Sequence, residues 1–108
     1  MNIQKLSDSL QSHRPLWVFC DAKKGLMFGI GLYDHHKTLC LIEKLTWDQA
    51  MLLERKTKFG NSASDFVKEW TIAKAKRSNI FDIKEKYGMV HERDFAKLPT
   101  TTIGAIHD

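Results

Sequence analysis

Asp21, Asp34, His35 and His36 are the densest group of side chains suited to metal binding or proton transfer in this 108-residue sequence. Adjacent histidines on extended backbone point to opposite sides, so one ion is not easily gripped by both. Zinc sites pair Cys and His at short fixed spacings, and the five histidines and two cysteines show none of them. The expectation is a solvated turn at residues 34–37, with no metal and no cofactor. Cys20 and Cys40 lie in apolar runs, where a free thiol packs as a small hydrophobe. A disulfide between them is geometrically possible on neighbouring strands, but two buried thiols suit a cytoplasmic protein better. A nucleophilic thiol needs an exposed, electropositive niche, which Cys20 lacks. No Gly-x-Ser-x-Gly elbow, phosphate loop or His-Glu-x-x-His motif occurs, so no catalytic residue is assigned.

The other chemistry is positive charge. The net charge of +4 is unevenly spread: residues 1–45 carry +2, residues 46–77 carry +3 and residues 78–108 carry −1. Lys56, Lys68, Lys74, Lys76 and Arg77 fall on outward positions of two consecutive helical segments in the basic middle. Charges of this kind attract phosphate when they merge and only solvate the surface when they scatter. A short connection at Gly60-Asn61 would make the two helices antiparallel neighbours and bring these charges together.

The elements that position them are read from periodicity. Ile3, Leu6 and Leu10 recur at helical spacing over residues 3–12, and Pro15 ends that element. Leu16–Cys20 is β-branched and aromatic, and residues 26–34 alternate Leu26, Phe28, Ile30 and Leu32 against Met27, Gly29, Gly31 and Tyr33. Two glycines on one strand face imply a close neighbour crossing it. With residues 38–45 as a third strand and short turns between, an antiparallel meander follows. Thr46-Trp47-Asp48-Gln49 reads as a capping box opening a helix to Phe59, with Gly60-Asn61 as its stop. Further helices are expected from Ser62 to Arg77 and from about Ser78 to Tyr87, with one helical turn within residues 91–98. The fold class is therefore α+β: a short N-terminal helix, a three-stranded meander, then two to three helices packed on the sheet. Residues 1–98 form one domain, and residues 99–108 are a tail or a short added strand. The first eight residues interrupt their apolar positions with polar ones, unlike an export signal, and no apolar run approaches the ~20 residues that cross a bilayer. A cytoplasmic location without membrane contact is expected.

Trp17-Val18-Phe19-Cys20-Asp21-Ala22, then Gly25 and Phe28-Gly29-Ile30-Gly31-Leu32, resembles the opening of a ribonuclease H-like fold over about residues 16–53. That resemblance implies a magnesium-binding role for Asp21. It also implies a glutamate early in the helix after the third strand, where this sequence has Met51, and an aspartate closing a fourth, parallel strand. Asp65 is the available candidate, but Lys56–Ser64 holds only Phe59 and Ala63 as apolar residues. Two-metal chemistry needs several convergent carboxylates, so metal-dependent nuclease activity is not expected. The order of elements is also similar to the arm-type DNA-binding domains of phage integrases and to double-stranded RNA-binding domains. That order would make Trp17, Phe19, Lys23, Lys24, Tyr33 and Lys37 a reading face.

The sequence thus points to a small non-enzymatic binding protein that engages nucleic acid or a nucleoprotein complex through Lys56, Lys68, Lys74, Lys76 and Arg77. The alternatives are a protein-only interaction or inhibitor module, which an exposed aromatic on a helix face would favour, and a diverged ribonuclease H-like domain. The periodicity also predicts a core of Val18, Phe28, Ile30, Ile42, Leu53, Phe66, Trp70 and Ile83. Trp70→Ala is expected to cost ~3–5 kcal/mol of stability, read as a lower denaturation midpoint.

Overall fold

The structure, a computed structural model, describes residues 2–103. Helix α1 (Ile3–Leu10) is opened by Asn2, whose side chain accepts from the Lys5 N–H at 3.0 Å. Strands β1 (Leu16–Ala22), β2 (Gly25–Tyr33) and β3 (Leu39–Leu45) form an antiparallel sheet in sequence order. Helices α2 (Trp47–Lys56), α3 (Ala63–Lys76), α4 (Ile80–Lys86) and α5 (Glu92–Lys97) follow. The α+β class and the meander hold, with every strand boundary within two residues of that expected.

Helix α2 starts as its sequence dictates. Thr46 accepts from the Gln49 N–H at 3.3 Å, and the Gln49 side chain accepts from the Thr46 N–H at 3.0 Å. The helix ends three residues early, at Lys56, because Thr57 turns extended and Phe59 leaves to stack on Trp17 with ring centroids 4.1 Å apart. Gly60-Asn61 is therefore no helix stop. The Gly60 N–H donates to the Pro15 carbonyl at 3.0 Å, and the Asn61 amide accepts from the Trp17 N–H at 2.7 Å while donating to the Trp17 carbonyl at 3.1 Å. Together with the Val90 N–H on the Phe19 carbonyl at 2.8 Å, these bonds occupy the outer edge of β1. An edge so occupied offers no template for a further strand.

Both faces of the sheet are buried. On one, Trp17, Phe19, Phe28 and Ile30 meet the helices through Leu6, Leu53, Phe66 and Trp70, with Phe19 and Phe66 stacked at 4.0 Å. All eight expected core residues are buried. On the other, Val18, Cys20 and Leu41 pack under Phe95 of α5. The segment from Val90 to Thr101 crosses this second face from edge to edge. It pairs beside β1 at Val90 and beside β3 at Thr100, where Leu41 exchanges bonds of 2.7 and 2.9 Å with Pro99 and Thr101. Residues 99–101 thus supply the short added pairing, while residues 104–108 lie outside the described residues.

The crossing accounts for one of the two β2 glycines, Gly29, while Gly31 is crowded from within the sheet. A Cβ on Gly29 would sit 2.6 Å from Leu41 Cδ1 and 3.2 Å from Phe95 Cζ. Gly31 is as crowded, by Val18 and Leu39. Gly29→Ala is expected to cost ~1–3 kcal/mol by overpacking, measured as a lower urea midpoint with unchanged slope.

Candidate nucleic-acid interface

The five expected contact residues do not form one group. Lys56, Lys68, Lys74, Lys76 and Arg77 are all exposed. In an antiparallel pair the end of the first helix meets the start of the second, and Glu54 shows this directly. Its carboxylate, in the last turns of α2, accepts from the Ala63 and Ser64 N–H groups at 2.5 and 3.2 Å. Lys56 therefore lies at the start of α3, whereas Lys74, Lys76 and Arg77 lie at its far end, about 20 Å away along the helix. The expected merged patch is corrected to two separate basic regions, with Lys68 between them. Lys56 instead bonds Gln4 of α1 at 3.0 Å and shares a cleft with Arg14 and Lys58.

At the far end, the three cations are packed within four residues. Lys74 and Arg77 border a shallow hollow with Ile80, and Lys74 Nζ stands 5.4 Å from the centroid of the Trp70 ring. Among the described residues, none of the three is within ion-pair distance of a carboxylate. Two acids near in sequence are occupied elsewhere: Glu54 caps α3, and Glu69 binds Lys86 at 2.8 Å and the Tyr87 hydroxyl. The Lys86 and Tyr87 bonds hold the Glu69 carboxyl below the usual carboxylate range. Arg77 has φ 52° and ψ 42°, a left-handed conformation, and its N–H donates to the Ala73 and Lys74 carbonyls to close the helix. Asn79 is left-handed too, at φ 61°.

Other expected features fall apart or move. Trp17 and Phe19 are buried and both sheet faces are covered, so the sheet presents no reading face. After α2 comes α3, not a strand, and Asp65 lies in its first turn. Asp21 is exposed on β1, and no group of three or more metal-ligating side chains converges among the described residues. His35 and His36 do not point apart: their ring centroids are 3.9 Å apart, because Asp34 bends the segment into a turn by accepting from the His36 and Thr38 N–H groups. Those bonds keep the exposed Asp34 carboxyl below its usual range. Cys20 and Cys40 are on β1 and β3, separated by β2, so they are not on neighbouring strands; both are buried free thiols. Burial, chiefly, raises both thiols above their ordinary values.

Comparison with known proteins finds no matching family model, no matching curated protein and no matching solved structure. Residues missed in the sequence include the adjacent pair His13 and Arg14, which the loop between α1 and β1 brings beside Lys56 and Lys58. Phe81 and Ile72, 70% and 55% exposed, also interrupt otherwise polar positions.

Burial, then the Glu69 carboxylate, pushes the Tyr87 hydroxyl from 10.0 up to about 12. A raised folded-state value means that the neutral phenol contributes stability below pH ~10, lost as the pH climbs toward 12. Denaturation of the wild type is expected to show this alkaline loss, and Tyr87→Phe is expected to lack that part of it.

Proposed function

We propose that the chain is a non-enzymatic binding domain for nucleic acid or a nucleoprotein complex, contacting phosphates through Lys74, Lys76 and Arg77 at the end of α3, with Lys68 one to two turns back. The observation that carries this reading is Arg77 itself. Its left-handed backbone favours glycine, and an L-residue there costs about 1 kcal/mol. A guanidinium held at that cost, beside two further cations with no carboxylate within ion-pair distance among the described residues, suits contact with an anion better than helix closure alone. No helix of the described residues is long and apolar enough to cross a membrane, and two buried free thiols fit a cytoplasmic setting.

A protein partner is the second reading. Phe81 and Ile72 stand out near a groove whose rim carries Glu69, Lys76, Asp82 and Lys86, a mixed-charge border around apolar contacts. Binding that ignores salt supports this reading over the first.

Two variants test the proposal against a mixed DNA and RNA pool. Changing Lys74, Lys76 and Arg77 together to Glu is expected to weaken binding and reduce its log–log salt slope by about 2–3, with the fold intact. Arg77→Gly is expected to weaken binding while leaving stability unchanged or raised by up to about 1 kcal/mol. Unaltered binding in both variants removes α3's end as the contact.

A further inference from the structure

A second cationic site lies at the other end of α3. The loop 11–15 between α1 and β1 and the loop 57–62 between α2 and α3 enclose a cleft of about 550 Å³. Arg14, Lys56 and Lys58 line it with His13 beside them, and no Asp or Glu is among the described residues that line it. Asp8, one turn back on α1, is bonded by the Gln4 amide at 3.0 Å.

Helix ends explain only part of this charge. Both α1 and α2 finish at the cleft, and each C-terminus carries roughly −0.5 of an elementary charge. Together they offset about one of the three formal positive charges and leave about two. That remainder matches a phosphate monoester, which carries about −1.5 to −2 near neutral pH.

The walls are fixed before any ligand arrives. Phe59 is stacked on Trp17, the Gly60 N–H is bonded to Pro15, and the Asn61 amide grips the Trp17 backbone. The Ser7 hydroxyl donates to the Lys56 carbonyl at 3.3 Å and accepts from the Thr57 hydroxyl at 2.7 Å, tying α1 to the end of α2. The Lys58 and Phe59 N–H groups donate to nothing within the described residues, which leaves two backbone donors on the lining loop. Donors fixed in advance lower the entropic cost of binding.

We propose that this cleft binds a terminal phosphate group through Arg14, Lys56 and Lys58. The chemistry is shared by the phosphorylated end of a nucleic-acid strand and by a free phosphorylated small molecule. It stands independently of whether α3's far end contacts nucleic acid.

Backbone amide NMR provides the test, with inorganic phosphate titrated against chloride at matched ionic strength. Saturable shifts confined to Arg14, Lys58, Phe59 and Gly60 are expected. Arg14→Glu with Lys58→Glu should raise the apparent Kd about tenfold or more, the loss of roughly 1.4 kcal/mol. Arg14→Gln with Lys58→Gln serves if the reversal unfolds the chain, and the Lys74, Lys76 and Arg77 reversal should leave the phosphate shifts in place. Tighter binding of a 5′-phosphorylated oligonucleotide than of its 5′-hydroxyl form, lost in the same double variant, assigns the phosphate to a nucleic-acid end. Equal binding of the two, with the phosphate shifts kept, assigns it to a small molecule. Shifts absent from the cleft, spread over every basic surface, or unchanged in the folded double variant overturn the proposal.

Discussion

The second half of the core depends on the absence of a side chain at Gly29, whose Cβ position is already crowded by Leu41 and by the Phe95 ring. A three-stranded sheet has two faces and two edges, and helices on one side seal only one face. Bare glycine backbone at the middle of β2 leaves room for a single aromatic ring, Phe95, on the segment that reaches both edges. Val90 and Thr100 then complete what Phe95 begins. On the opposite side, Phe19 stacked on Phe66 plays the matching part, joining β1 to α3.

The sheet was legible because its signals are local. Alternation in β2, short turns and a reciprocal capping box each draw on fewer than ten residues, and each appears where expected. Of the glycine pair, Gly29 does meet a crossing neighbour, Phe95, whereas Gly31 meets Val18 and Leu39 of the sheet itself. Errors arose where a residue serves a distant partner. Phe59 reads as one more apolar helix position, yet it leaves α2 because Trp17 offers a stacking surface. Asn61 reads as a helix terminator, while its amide takes the place of a paired strand beside Trp17.

The basic residues show the same division. Outward placement on a helix follows from periodicity, and all five expected contacts are exposed. Their grouping depends on helix direction. Lys56 lies at the opposite end of α3 from Lys74, Lys76 and Arg77, so it parts from them, keeps its chain neighbour Lys58 and gains Arg14. Glu54 and Glu69, which sequence proximity would set against the cations, are committed to a helix start and to Tyr87. No spacing rule carries that information, because both partners are fixed by loop paths.

The crossing segment has a further bearing on how the chain is made. Synthesis proceeds from the amino terminus, and β1, β2 and β3 leave the ribosome well before Val90 to Ile103 do. Throughout that interval Val18, Cys20 and Leu41 have no cover and the outer side of β3 has no pairing partner. A nascent chain in this condition presents an adhesive surface that the finished one lacks. Delay in translating residues 90–103 would prolong that exposure.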